Sequence, residues 1–265
     1  MIPNEKQIES IPKTHPRYLS LKYRHKIIEG MKNLVVAEAG LIAHGRGECF
    51  DYILGEKTSI PAKKAIKAAI AAFLLAENPV ISVNGNVAAL VPSEIVSLGK
   101  LLNAPLEINL FYQKSGRIEA IQEILHKAGA TKLYGIDSSK ILELDGLESN
   151  RRNVELIADA DTVLVPLEDG DRTEALKKLN KFVIAVDLNP LSRTALWADI
   201  TIIDNIIRVL PEMIKNTKEL MKLEKNQLRN IVDKFNNKKN IQDSLDLIIN
   251  YINDQKELAF ETLKK

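Results

Sequence analysis

A few arginines, acids and amides in this chain have the type and spacing to handle anions. Gly40-Leu41-Ile42-Ala43-His44-Gly45-Arg46-Gly47-Glu48 sets Arg46 between two glycines. Glycine permits positive φ and close backbone approach to a ligand, and a guanidinium offers a planar fork to phosphate or carboxylate. The same segment also fits a turn carrying a surface arginine. His44 is a candidate acid or base, with a structural histidine as the alternative. Asp187 follows the apolar run Phe182-Val183-Ile184-Ala185-Val186. An acid at that place commonly accepts from ribose hydroxyls; it also fits an Asx-turn or helix cap before Pro190. Leu188 and Asn189 continue that loop, and Arg193 and Thr194 could meet phosphates a few residues on. Asp204-Asn205 offers an acceptor and a donor amide suited to a base edge. Glu168-Asp169-Gly170-Asp171 packs three acids into four positions. Such carboxylates repel unless Mg²⁺ or basic groups neutralise them, Arg172 being the nearest candidate; a solvated acidic loop is the plain alternative. Asn84-Gly85-Asn86 closes Val80-Ile81-Ser82-Val83. A helix starting there would favour an anion, although Asn-Gly is also a tight-turn signal.

Several classes fall away. No Gly-Lys-Ser/Thr follows a glycine loop, so there is no P-loop. The dinucleotide fingerprint Gly-x-Gly-x-x-Gly is missing, which argues against a nicotinamide dehydrogenase. No His/Cys cluster has zinc spacing, and Cys49 in Glu48-Cys49-Phe50 is expected to be a buried structural thiol. Lys+Arg of 37 against Asp+Glu of 35 gives +2, so the electrostatic footprint of a nucleic-acid binder is missing. The longest apolar stretch, Ala65 to Ala76, contains Lys67 and is too short to span a bilayer. The N-terminus lacks the apolar core of a signal peptide. A single cysteine makes no intramolecular disulfide, which fits a reducing cytoplasm.

The elements that must position these residues follow from periodicity. Val163-Leu164-Val165, Phe182 to Val186 and Ile200 to Ile203 are short β-branched runs bounded by polar turns, the pattern of buried parallel strands. Helical material between the first two makes a βαβ unit. Upstream the pattern predicts a helix from Ser20 to Met31 with Gly30 as its stop, and an alanine-rich helix from Ile60 to Leu75 with Pro61 in its first turn. It then predicts a strand from Pro79 to Val83, a helix from Ser93 to Leu102, a strand from Glu107 to Phe111, a helix from Arg117 to Ala128, and a short strand at Lys132 to Gly135. The segment around Asp145-Gly146-Leu147 is irregular. The alternation argues an α/β, Rossmann-like three-layer fold with a mostly parallel sheet. Ligands then bind at the carboxyl ends of the strands, where the polar residues above cluster. Residues 207–265 are helical and charged, so the chain divides into a catalytic domain, 1–206, and a helical C-terminal extension, 207–265.

Four segments in order carry a resemblance. They are His15-Pro16-Arg17-Tyr18 with Arg24; Gly40 to Glu48 continuing to Phe50-Asp51-Tyr52; Ser82 to Pro92; and Val163 through Asn205. They resemble the archaeal phosphopantothenate synthetases, or 4-phosphopantoate–β-alanine ligases, over roughly residues 10 to 210. The strings Pro166 to Leu176 and Asp187 to Ala195 are long and specific. Cys49 and Asn33-Leu34-Val35-Val36 depart from the family pattern, which has a small residue and a glycine-containing stretch there.

The resemblance implies an ATP-dependent ligase of coenzyme A biosynthesis that joins 4-phosphopantoate to β-alanine and releases AMP and pyrophosphate, as a homodimer. It places ATP contacts on Arg24, Arg46, Asp187-Leu188-Asn189, Arg193-Thr194 and Asn205-Ile206. Arg46, Arg193 and His44 are then the expected catalytic groups. Asn84, Gly85, Asn86, Glu168 and Asp169 are expected near phosphopantoate. Drawing such anions together calls for arginines and Mg²⁺. A nucleotide-dependent kinase or transferase, which would make ADP, and a non-catalytic nucleotide-binding module remain alternatives from other classes.

Overall fold

A computed structural model describes residues 11–15, 17–110, 115–136 and 154–262, without the side chains of 257 and 259–262. Phe111 at the end of a predicted strand, Asp145-Gly146-Leu147, and Pro16 of the N-terminal motif lie outside the described residues.

Five strands form one parallel sheet in the order β2-β1-β3-β4-β5. They are β1 (Pro79–Val83), β2 (Leu106–Ile108), β3 (Thr162–Pro166), β4 (Phe182–Val186) and β5 (Ile200–Ile202). Every described pairing is parallel. The chain turns from β1 to β2 on one side and returns to β3 on the other, so the winding direction reverses between β1 and β3. A crevice must open there at the strands' carboxyl ends.

Alternate side chains go to opposite faces. Ile81, Val83, Leu164, Ile184, Val186, Ile200 and Ile202 join the larger core cluster. Val80, Val163, Val165, Val183 and Ala185 join a smaller one with Leu176, Val154 and Ile157. On the larger side lie α3 (Ile60–Leu75), α4 (Gly85–Leu90), α5 (Pro92–Leu102), α6 (Arg117–Lys127) and α9 (Ile206–Leu220). On the smaller side lies α7 (Gly170–Lys178). This is the expected three-layer α/β arrangement.

Helix α3 starts where Ser59 Oγ accepts from Ala62 N, with Pro61 in the first turn. Its buried alanines, Ala62, Ala65, Ala68, Ala69, Ala71 and Ala72, let the helix come close to its neighbours. The helical tail does not stand apart: Val209, Leu210 and Met213 of α9 are fully buried in the main core. Helices α10 (Lys225–Asp233) and α11 (Asn237–Thr262) then pack back over α3. Among the described residues no helix is long and apolar enough to cross a membrane.

Three local expectations need correction. Helix α1 (Tyr18–Lys32) runs through Gly30 instead of stopping there. A Cβ at Gly30 would press on Ala89 and Val36 at 2.9 Å, so packing and not termination accounts for this glycine. Leu34 sits at φ 61, the left-handed conformation that glycine adopts without strain. Lys132 to Gly135 makes only a single bridge, Glu107 to Tyr134. The Gly40 to Glu48 stretch is not a loop. It lies within α2 (Glu38–Ile53), a sixteen-residue helix whose glycines have no positive φ.

Candidate active site

A cavity of about 390 Å³ opens at the carboxyl ends of the strands, beside the reversal point. Its volume suits a metabolite-sized ligand. One wall is made by the strand-end loops. Here lie Leu167 to Gly170 after β3, Asp187 to Thr194 after β4, and Asn205 and Ile206 after β5. The opposite wall is α2, which contributes His44, Arg46, Gly47, Glu48 and Phe50, with Asn86 and Leu90 from α4.

The strand-end wall is bonded into shape. Asp187 Oδ1 accepts from Asn189 N at 2.9 Å, and Oδ2 accepts from Ser192 Oγ at 2.5 Å. Ser192 in turn caps α8 (Arg193–Trp197) by accepting from Ala195 N. Asp187 is thus the Asx-turn anchor that the sequence also allowed. Burial pushes its carboxyl up, while the Ser192 and Asn189 hydrogen bonds and the nearby charge of Arg46 pull it down. Asp169 caps α7 by accepting from Arg172 N at 2.8 Å. Thr194 Oγ1 donates to Glu168 O at 2.9 Å and ties the two loops together. Leu167 sits at φ 53, a left-handed conformation in a residue that dislikes it; strain of this kind concentrates at functional sites. Gly170 lets the loops touch, since a Cβ there would overlap Arg193 Cβ.

The acids of Glu168 to Asp171 each have a local partner: Glu168 accepts from Asp169 N, Asp169 from Arg172 N, and Asp171 from Arg193. Arg193, not Arg172, neutralises Asp171: its guanidinium bonds Asp171 and also Glu174 at 2.5 Å. Arg172 is buried. Arg193 itself is half-exposed at the cavity rim.

Asn205 caps α9 by accepting from Ile207 N and donates to Asp51 Oδ2 at 2.7 Å. Arg208 bridges Asp51 and Asp204, with its Nε donating to Asp204 Oδ1 at 2.9 Å. This network fastens α2 to the strand-end wall. Arg208 did not stand out in sequence, and Asp51 did so only within the Phe50-Asp51-Tyr52 segment; the i,i+4 spacing of Asp204 and Arg208 was the available signal. Burial raises the Asp204 carboxyl, against the pull of Arg208.

The helix wall is different. Arg46 is exposed and makes no hydrogen bond or ion pair among the described residues, apart from its field on Asp187. His44 Nε2 is buried without a hydrogen-bond partner among the described residues. Burial holds the imidazole below its ordinary range, and Glu48 and Arg24 act in opposite senses on it. Gly47 faces Leu188, and Gly40 makes room for Asn86, whose Nδ2 donates to Gly40 O at 2.9 Å.

The cavity gathers His44, Arg46, Asn86, Glu168, Asp169, Asp187, Leu188, Asn189, Arg193, Thr194, Asn205 and Ile206. Three candidates stand outside its lining. Arg24 pairs with Glu48 at 3.1 Å behind the wall. Asn84 caps α4 and donates to Pro166 O and Leu167 O, clamping β1 to β3. Gly85 admits Val35 O, where any Cβ would clash. Cys49 is exposed, not buried, because it projects from the outer side of α2. Sequence inspection missed Ser192 and Leu167 as lining residues. It also missed Glu107, a fully buried carboxylate that accepts from the backbone N–H groups of Glu155, Leu156 and Ile157.

Two helix N-termini, those of α7 and α9, open into the cavity together with two guanidinium groups. That combination suits phosphate groups. Comparison with known proteins agrees in kind. A family model described as phosphopantothenate/pantothenate synthetase matches residues 61–251. A curated 4-phosphopantoate–β-alanine ligase of Thermococcus kodakarensis is 56% identical over 89% of this chain and 91% of its own length. Ligases of the same name from Thermococcus onnurineus and Methanosarcina mazei are 55% and 45% identical, over 89% and 95% of this chain and 90% and 98% of theirs.

Proposed function

This chain belongs to the phosphopantothenate/pantothenate synthetase family, an ATP-dependent 4-phosphopantoate–β-alanine ligase by that membership, and we propose how its residues divide the work. The observation that carries the division is the cavity itself, with a bonded strand-end wall facing an arginine and a histidine on α2.

ATP lies along the strand-end wall. Asp187 accepts from the ribose hydroxyls, and the α9 N-terminus at Asn205 and Ile206 receives the adenine edge. Arg193 and the α7 N-terminus hold phosphate oxygens, with Thr194 beside them. Arg24 acts through Glu48, which it orients. Phosphopantoate enters on the Asn86 and Glu168 side of the cavity, and Arg46 reaches between the two anions. Asn84 and Gly85 shape that side from behind, and Asp169 lines it.

The phosphopantoate carboxylate oxygen attacks the α-phosphorus, the bond to the bridging oxygen breaks, and pyrophosphate leaves. The β-alanine amine then attacks the acyl carbonyl, AMP departs and an amide forms. The amine must lose a proton. His44 is the base: burial keeps it neutral, and Nε2 has no other partner. Asp169 is engaged as a helix cap and Glu168 accepts from Asp169 N, which makes them poorer bases. Arg46 and Arg193 stabilise charge that develops on phosphate oxygens.

No group of three acids, histidines or cysteines among the described residues is arranged to hold a metal. Mg²⁺ needs only one or two carboxylates when phosphates supply the other oxygens. Glu168 on the cavity wall fits that demand. Bound there with the triphosphate, Mg²⁺ would neutralise phosphate charge.

We also propose a homodimer. The inward stripe Ile241, Leu245 and Ile248 of α11 is covered by Leu54, Leu188 and Ile203. One turn farther on, Ile252 is 48% exposed, beside Ile249 at 56%. The helix outruns the domain with its apolar stripe uncovered, which suits a second copy. On this reading residues 1–206 carry the chemistry and 207–265 brace it and join the subunits.

Chromatography of nucleotide products tests the reaction course. AMP and pyrophosphate are expected only when 4-phosphopantoate, β-alanine, ATP and Mg²⁺ are all present. Stoichiometric ADP and phosphate would overturn the adenylate route.

A further inference from the structure

A second cavity of about 350 Å³ lies between α3, α10 and α11 and shares no residue with the catalytic one. Lys64 and Lys67 reach it from the first two turns of α3, and Lys234 from the end of α10. None of the three forms an ion pair among the described residues. The one carboxylate in the lining, Asp243, is already paired with Lys239 at 2.5 Å. The N-terminus of the 26-residue α11, capped by Asn236, opens on the same space and adds its positive end. Helix α10 presents its negative end here, but Lys234 stands at that terminus. Balanced over the lining, the cleft is strongly cationic.

Charge alone would describe many surfaces. The floor makes this one specific. Ile231 and Phe235 are partly buried and apolar. Asn240 is only 5% exposed; its Nδ2 donates to Thr201 O at 2.8 Å, which fixes the amide's orientation. Its Oδ1 is buried with no hydrogen-bond partner among the described residues. A buried carbonyl left unbonded costs about 1–3 kcal/mol, and a ligand that donates to it would recover that cost. A bare phosphate has charge for the lysines but nothing apolar to lay on Phe235.

We propose that this cleft binds a small organic polyanion bearing an O–H or N–H donor and an apolar body, separately from the catalytic cavity. The lysines take the negative charge, Asn240 Oδ1 takes the donor, and Ile231 and Phe235 take the apolar part. The condensation product, 4′-phosphopantothenate, has all three features: phosphate and carboxylate, hydroxyl and amide N–H, and a dimethyl carbon. Its identity as the reaction product rests on the activity above, whereas binding at the cleft is read independently of turnover.

The probe is therefore 4′-phosphopantothenate, with 4-phosphopantoate and inorganic pyrophosphate as comparison arms, titrated into isotope-labelled full-length protein. The Asn240 side-chain amide and the Phe235 resonances are expected to shift saturably, with half-saturation at about 1 mM or below. Joint Lys64→Glu and Lys234→Glu substitution should weaken that shift by about tenfold or more. Arg46→Ala should leave it in place, because Arg46 lines only the other cavity. A stronger response to 4-phosphopantoate than to product would still support the cleft and would name the substrate as occupant. The proposal is overturned if Asn240 fails to respond, if its response survives the lysine double variant, or if pyrophosphate moves Asn240 as strongly as the organic anions do.

Discussion

The two walls of the catalytic cavity are built on opposite principles. On the strand-end wall nearly every polar side chain is engaged: Asp187 by Ser192 and Asn189, Asp169 by Arg172 N, Asn205 by Ile207 N and Asp51, Arg193 by Asp171 and Glu174. On α2, Arg46 and His44 Nε2 make no such bonds among the described residues. The difference separates binding from chemistry. A wall that is internally bonded presents a fixed shape to a nucleotide and reorganises little. Groups without partners are available to react when substrate arrives.

That contrast predicts the largest effect for Arg46. Arg46→Ala should lower kcat/KM by about 10²–10³-fold with the fold intact. Arg193→Ala should also impair turnover, but less. Its removal leaves Asp171 and Glu174 uncompensated near the phosphates and so raises KM for ATP more than it lowers kcat. Arg193→Lys should rescue only partly, because a lysine cannot span both carboxylates as the fork does. Steady-state kinetics on the three variants decides the matter. A greater kcat loss at Arg193 than at Arg46 would move the chemistry to the strand-end wall.

His44 sharpens the contrast through pH. Its conjugate acid is held below the ordinary histidine range by burial, so the free base persists at neutral pH. The acid limb of kcat/KM should therefore fall below the usual histidine value of about 6.5. His44→Gln should abolish that limb and lower the plateau by about 10²-fold. The stability sign follows from the same shift. The unfolded chain takes up the proton more readily than the folded one. Stability is thus present above the unfolded value and is lost as pH falls through the folded one. Urea melts at two pH values should show that acid loss in the wild type and not in His44→Gln. An unchanged acid limb in the variant would remove His44 from the proton transfer.

Much of this was legible from residue patterns, and the failures have physical causes. The five strands and the alanine-rich α3 carry strong local signals: β-branched runs ending in turns, a serine cap, a proline in the first turn. Asp187, Arg193 and Asn205 were legible because strand ends in such folds face the ligand. The glycine stretch misled because glycine was read as freedom. In α2 its value is the missing Cβ, at Gly40 against Asn86 and at Gly47 against Leu188, and no sequence distance says what will lie opposite a helix. Asn84 and Gly85 sat beside the right strand, yet their groups are turned to bracing: a donor to Pro166 O and Leu167 O, and a gap for Val35 O. Glu107 and the Asp51–Arg208 contact join residues far apart in the chain, and one sequence contains no trace of such pairings.

Gly40 gives the next test, one of structure and not of chemistry. Alanine there would overlap Asn86 Oδ1 and press on Val36. Overpacking of this kind costs about 1–3 kcal/mol, read as a lower urea midpoint at unchanged m. Gly45, with nothing within 4 Å of an added Cβ, should accept alanine and gain helix propensity instead. Opposite signs at two glycines five residues apart would establish that α2 is a packed wall. Equal and small effects would mean that the helix lies farther from Asn86 than the Nδ2 bond to Gly40 O requires.

The smallest expected effect on catalysis concerns the outer end of α11. Deleting the helix is a poor test of assembly. Asn237 and Asn240 bond the backbone of β5 and its flanks, and Ile241 and Ile248 cover Leu188 of the catalytic wall. Truncation after Asn236 would therefore disturb the site whatever the subunit count. Ile249 and Ile252 lie beyond that buried region and are exposed, so Ile249→Asp with Ile252→Asp leaves the domain's own packing alone. A charge in a buried interface is strongly unfavourable, whereas the same charge in water is neutral to folding. Light scattering at micromolar concentration should show the wild type as a dimer and the double variant shifted toward monomer, with the thermal midpoint of the domain nearly kept. Turnover per chain should change little, since all the residues assigned to chemistry come from one chain. A wild-type monomer would remove the dimer altogether, and a double variant that stays dimeric would transfer the interface to another exposed apolar surface, such as that around Leu191, Leu196 and Trp197.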